Sequence, residues 1–207
     1  VKDLSGFRVP FLPDEQIWRA ADRFREEHSG GKLPVDIEDI VEFSLGIEFF
    51  PLSGLRTEAS IDSFLSSNCK TIFVDKDVFN QRGIPVRLRF SLAHEVGHLV
   101  LHQNIIPAIT GSTIEDWKQI RRTIPEPEYG KLEYQAYEFA GRLLVPPDAL
   151  VAEIDKIRPK VEDFLRQMPT GDLDALFNVV HKTVSEKFQV SAEVIGKRLA
   201  KEGIIVV

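Results

Sequence analysis

Cysteine occurs once in this 207-residue chain, at Cys69, and one thiol excludes both an internal disulfide and a thiolate cage for a metal. Any metal site must then be built from histidine and carboxylate, and the cysteine usage suits a reducing cytoplasm. No apolar run approaches the ~20 residues that cross a bilayer, so no membrane span is expected. The opening stretch VKDLSGFRVPFLPDEQ has neither the basic nor the apolar region of a signal peptide. It does not begin with Met, which leaves open a trimmed chain with an upstream segment. Internal repeats and low-complexity tracts are missing as well. Positive charge is in deficit, 26 Lys and Arg against 32 Asp and Glu, and the net charge of −6 argues against a nucleic-acid surface unless a local basic patch exists. What is present is the balance of a globular protein, 43% hydrophobic and 28% charged, in a length that suits one large domain or a domain with a helical appendage.

Helical spacing of Ile17, Ala20, Ala21 and Phe24 predicts a helix over 14–27. A second, short helix is expected after Asp36, its N-cap, with Ile37, Ile40, Val41 and Leu45 inward and Gly46 as its stop. Strands are expected over 47–50, 59–65 and 71–75, with Ser66-Ser67-Asn68 as a hairpin loop, forming a small antiparallel sheet. A long helix follows over 85–102. The Pro-, Gly- and Thr-rich stretch 103–130 reads as loop, with a helix around 114–121. Further helices are expected over 131–145, 148–157, 161–167, 173–188 and 192–201. The order, helices and a sheet first and then mostly helix, predicts an α+β fold rather than a doubly wound one. The expected division is a core over 1–157 and a helical C-terminal region over 158–207.

Within the 85–102 helix lies HEVGH, an H-E-x-x-H motif. Four residues at ~100° each bring His94 and His98 to one face, so two imidazoles can reach one ion. Glu95 stands beside them, placed to take a proton from a zinc-bound water, whose pKa the ion lowers to about 7. The motif alone is only moderately specific. Its apolar neighbours Leu92, Ala93, Val96, Leu99 and Val100 strengthen it, because buried imidazoles and a buried carboxylate need partners that a cation supplies. Gly97 costs about 1 kcal/mol relative to Ala in a helix interior, which suggests that another backbone passes close by.

A catalytic zinc needs a third protein ligand. His102 repeats the spacing, but His94 and His102 start ~12 Å apart along the axis, too far for one ion with ligand bonds of about 2 Å. The favoured reading of His102 is a helix-end histidine bonded to a carbonyl or to solvent. The stronger candidate is Glu133 of EYQAYEFAGRLLVP, on the same stripe as Ala136 and Ala140, whereas Glu138 lies ~140° away. The competing reading of Glu133 is a first-turn glutamate favoured by the helix dipole. Glu126 and Glu128 are lesser candidates, better read as solvated.

Two blocks, RFSLAHEVGHLVLH and EYQAYEFAGRLLVP, resemble the ImmA/IrrE family of metallopeptidases. PVDIEDIVEFSLGIEFF and VSAEVIGKRLAKEGII are similar to other family segments. The resemblance implies a minimal thermolysin-like (gluzincin) core, Zn2+ held by His94, His98 and Glu133, and Glu95 as general base. It also implies an intracellular endopeptidase that cleaves a protein such as a helix-turn-helix repressor. Tyr137 departs from the pattern, since the family has Asn or Asp there, and an uncompensated loss of that support would weaken zinc binding or activity ~10–100-fold.

Other features are weaker. FQVSAEVIGKRLAKEG has the look of the latter part of a helix-turn-helix, with Lys197, Arg198 and Lys201 on one helix, although packing is the plainer reading. Cys69 reads as a structural strand residue, Trp18 and Trp117 as packing residues, and His28 and His181 show no evident partner. The TIFVD segment, 71–75, is either a strand that receives extended peptide or an internal one. Alternatives to an endopeptidase are hydrolysis of a small molecule and a non-catalytic metal-binding or DNA- or protein-interaction regulator. Substrate identity and oligomeric state are not legible.

Overall fold

A computed structural model describes residues 4–80, 86–111, 113–167 and 173–204. Helix α1 (Asp14–Ser29) buries Ile17, Ala21 and Phe24 and ends at Gly30, whose φ of 56° is open to glycine at no steric cost. Helix α2 (Ile37–Asp39) widens into the turn Ile40–Ser44, with Leu45 N–H bonded to Ile40 O at 2.9 Å. Asp36 precedes it without a side-chain capping bond.

Strands β1 (Glu48–Leu52), β2 (Ser63–Leu65) and β3 (Thr71–Asp75) form one sheet in the order β1-β3-β2. The sheet is mixed, not antiparallel throughout: β2 pairs antiparallel with β3, and β1 pairs parallel with it. The tight 66–70 connection makes the hairpin, while the chain leaving β1 crosses to the far edge before β3 fills the middle. Residues Leu55–Ala59 form a wide helical turn on that crossing, so β2 is shorter than expected. Cys69 lies in the hairpin loop, not in a strand, at a φ of 55°.

Beyond the sheet come α3 (Lys76–Phe79), α4 (Val86–His102), α5 (Ile106–Ile109) and α6 (Ile114–Thr123). Then follow α7 (Glu126–Leu144), α8 (Pro147–Gln167), α9 (Leu173–Phe188) and α10 (Ala192–Glu202). Helix α7 starts well before the expected 131, because prolines at 125 and 127 occupy the cap and first turn, where a missing N–H costs nothing. Helix α8 is one helix where two were expected. Pro159 forfeits a backbone bond inside it, and the helix continues because Leu150, Ile154 and Val161 are all buried. The expected division at 157/158 falls within this helix.

The core joins α4 and α7. Leu92, Ala93 and Val96 meet Phe139, Ala140 and Leu143, all at most 1% exposed. A Cβ on Gly97 would lie 3.0 Å from Ala136 O and 3.1 Å from Ala136 Cα, so the glycine is what lets the two backbones approach. The fold is α+β, largely helical, with a small mixed sheet and C-terminal helices. Among the described residues, no helix is long and apolar enough to cross a membrane.

Candidate metal centre

Helix α4 turns His94, Glu95, His98 and His102 into the interior, each at most 8% exposed. His94 Nε2 and His98 Nε2 face each other at 3.0 Å. Glu133 from α7 closes the group, Oε2 at 3.4 Å from His94 Nε2 and Oε1 at 3.4 Å from His98 Nε2. Because α7 begins at Glu126, Glu133 is an interior helix residue, and the helix-dipole reading of it does not apply. Glu126 instead pairs with Arg121, and Glu128 accepts from Val9 N–H at 2.7 Å and pairs with Lys131, so both are committed elsewhere.

A divalent cation fits this donor set. In a tetrahedral array with bonds of ~2.0–2.1 Å, neighbouring donors stand ~3.3 Å apart, close to the separations found. One atom from each of His94, His98 and Glu133 lies within 4.8 Å of the others, and all three residues line an open cleft, so a fourth position faces that cleft. The charges are also preset. Burial pushes the Glu133 carboxyl up, but hydrogen bonds to His94 and His98 and their charge outweigh it and hold it far below the usual carboxylate range. Burial likewise pushes His94 down, and Glu133 chiefly, with Glu95 and Asp62, carries it above its ordinary value.

The two imidazoles are supported differently. His98 Nδ1 lies 3.0 Å from His102 Nδ1, and His102 Nε2 lies 2.8 Å from Gln135 Oε1. His102 does end α4, but it is a buried partner of His98 and Gln135 rather than a residue bonded to a backbone carbonyl or to solvent. Burial first, then the charge of His98, drops its pKa to about 4. His94 Nδ1 is buried with no hydrogen-bond partner among the described residues. The Tyr137 ring packs on His94 instead, centroids 4.4 Å apart, with Phe90 stacked on Tyr137 at 5.9 Å.

Two arrangements escaped the sequence reading. Ser63 of β2 donates to Glu95 Oε1 at 2.6 Å, fixing the carboxylate beside the candidate metal ligands. Strand β3 is internal; the strand bordering the site is β2, which among the described residues pairs only with β3. Asp75 N–H donates to Asp62 O at 2.7 Å and Ser66 N–H to Thr71 O at 2.8 Å. By antiparallel alternation the backbone groups of Ser63 and Leu65 then point to the open edge. The cleft holds about 970 Å³ and is lined by Ser63, Leu65, Phe90, Trp117 and Tyr129, which gives Trp117 a place in it.

The chain matches the family described as Peptidase_M78, the IrrE N-terminal-like domain, over residues 70–200. It belongs to the ImmA/IrrE peptidase family. The match covers α4, α7 and all but the last two residues of α10, but not Ser63, the N-terminal segment, or the PVDIEDIVEFSLGIEFF stretch. A comparison with curated proteins found no match. In this ImmA/IrrE chain the candidate DNA-facing cations are largely engaged internally. Arg198 is buried between Glu138 and Glu202, and Lys201 reaches Asp14 at 2.8 Å. Lys197 is exposed and pairs with Glu193 at 2.7 Å. Trp18 donates to Glu138 Oε2 at 3.2 Å, and burial pushes the Cys69 thiol up, which is the opposite of an activated nucleophile.

Proposed function

We propose that this metallopeptidase-family chain is a zinc endopeptidase acting on an extended segment of a protein partner. The main support is the convergence of His94, His98 and Glu133 with a base, Glu95, that Ser63 holds in place. Two imidazoles and a carboxylate, without thiolate, are a donor set for catalytic zinc. When bound, zinc would lower the pKa of water to about 7 and polarise the scissile carbonyl.

The protein's own groups do the rest. An extended peptide would pair with the open edge of β2 through the backbone of Ser63 and Leu65, which lays its carbonyls along the cleft. Glu95 would take the proton of the attacking water and hand it to the departing amine. The Ser63 hydroxyl, by occupying Oε1, leaves Oε2 of Glu95 for that transfer. The hydrophobic walls from Phe90, Trp117 and Tyr129 favour an apolar side chain beside the cleaved bond. A helix-turn-helix repressor as substrate rests on the family resemblance, and a cytoplasmic location on the lone Cys69.

Zinc-loaded protein incubated with a proteome-derived peptide library, with new N-termini read by mass spectrometry, tests the reading. Glu95→Gln should cut the cleavage rate by ~10²–10⁴-fold while binding the same zinc. Undiminished cleavage by that variant, or no zinc in the unaltered protein, would overturn it.

A further inference from the structure

Behind the site, a chain of hydrogen bonds runs from His98 through His102 and Gln135 to the carbonyl of Pro10, where Gln135 Nε2 donates at 2.9 Å. His102 is 2% exposed and Gln135 1%, and neither lines the cleft. Each link allows one polarity. A proline carbonyl only accepts, so the amide nitrogen of Gln135 must face it and the amide oxygen must face His102. That oxygen only accepts, so His102 carries its proton on Nε2. A neutral His102 then has a bare Nδ1, which accepts from Nδ1–H of His98. A neutral His98, the form a metal ligand must take, then keeps its one proton on Nδ1 and leaves Nε2 bare toward the cation position.

We propose that His102 and Gln135 are positioning residues: they transmit the polarity of the Pro10 carbonyl to His98 and keep its Nε2 bare and aimed at the cation position. The inference rests on the metal reading above. Its importance is raised by the other ligand, since His94 Nδ1 has no partner among the described residues to hold a proton behind the ring. A packing role alone would need only a side chain of similar size at position 102.

Zinc dissociation constants, measured by competition with a chromophoric chelator, separate the two roles. His102→Leu keeps the bulk and removes the acceptor, and should weaken zinc binding ~10–100-fold. His102→Asn, whose amide oxygen can stand where Nδ1 stood, should recover most of that loss. A His102→Leu protein that binds zinc as tightly as the unaltered one overturns the proposal. Long-range 1H–15N spectra of the unaltered zinc-loaded protein give a readout that needs no variant. They should show His102 protonated at Nε2 and His98 at Nδ1, and the reverse tautomers overturn the proposal even if the variants fail to fold. Absence of zinc from the unaltered protein would overturn the metal reading and this one with it, an outcome distinct from zinc bound equally by all variants.

Discussion

Tyr137 occupies the position four residues after Glu133, one turn along α7, and its ring covers His94 rather than bonding to it. A ligand imidazole with an acceptor behind it is held in orientation and made more basic; one without is held by packing alone. Tyr137→Asn or Tyr137→Asp would place a short acceptor where the ring now packs on His94, whose Nδ1 has no partner among the described residues. Zinc affinity of either variant should rise by roughly tenfold or more over the unaltered protein in the same chelator competition. Unchanged or weaker binding would mean that the ring packing already does the work of the missing hydrogen bond. At this scale the sequence revealed those residues whose spacing is local. His94, Glu95 and His98 follow from one turn of helix, and Glu133 from its stripe. Ser63, Gln135 and the role of His102 did not, because a hydrogen bond between distant segments leaves no periodic trace in the chain.

The elements that matter most are α4 and α7, and their contact is set by Gly97. A Cβ there would meet Ala136 O at 3.0 Å, Ala136 Cα at 3.1 Å and Phe139 Cβ at 3.3 Å. Two of these are backbone atoms of the helix that carries Glu133, so relief means moving α7. Alanine is the better helix former by about 1 kcal/mol, while overpacking costs about 1–3 kcal/mol. Gly97→Ala should therefore lose up to about 2 kcal/mol, lowering Tm by up to ~8 °C in calorimetry of the metal-free protein. A higher Tm would show that helix propensity outweighs the close approach. Most helices could be read from their 3.6-residue period, and the failures have specific causes. Pro127 made the start of α7 resemble a loop, and Pro159 suggested a break in α8 that burial of Ile154 and Val161 overrides. Strand order was out of reach for a different reason. Pairing is decided between segments, and nothing within 48–52 says that it lies parallel to 71–75.

Across the whole molecule, ion pairs tie the first helix to the last. Asp22 of α1 grips Arg142 of α7 at 2.6 Å and Arg25 at 2.9 Å; Arg142 reaches Glu202 of α10 at 2.9 Å. Asp14 accepts from Lys201 at 2.8 Å and from Tyr134 at 2.7 Å. Burial pushes the Asp22 carboxyl up, but Arg142 and then Arg25 pull it below its ordinary value, and Asp14 is lowered in the same way by Lys201 and Tyr134. A carboxyl with a depressed pKa in the folded state contributes stability that is fully present above its unfolded value, about 3.9, and is lost as pH falls through the folded value. Asp22→Asn removes that titration. At pH 7 the variant should melt ~2–4 °C below the unaltered protein, the scale of one partly exposed ion pair. The gap should shrink as pH is taken from 5 to 3, because acid does to the unaltered protein what the substitution did already. Melting curves recorded across that range in chelating buffer keep any metal out of the comparison. A gap that stays constant or widens toward acid would mean that Asp22 acts through packing or through the unfolded chain, and that the network does not couple α1 to α7 and α10 by charge.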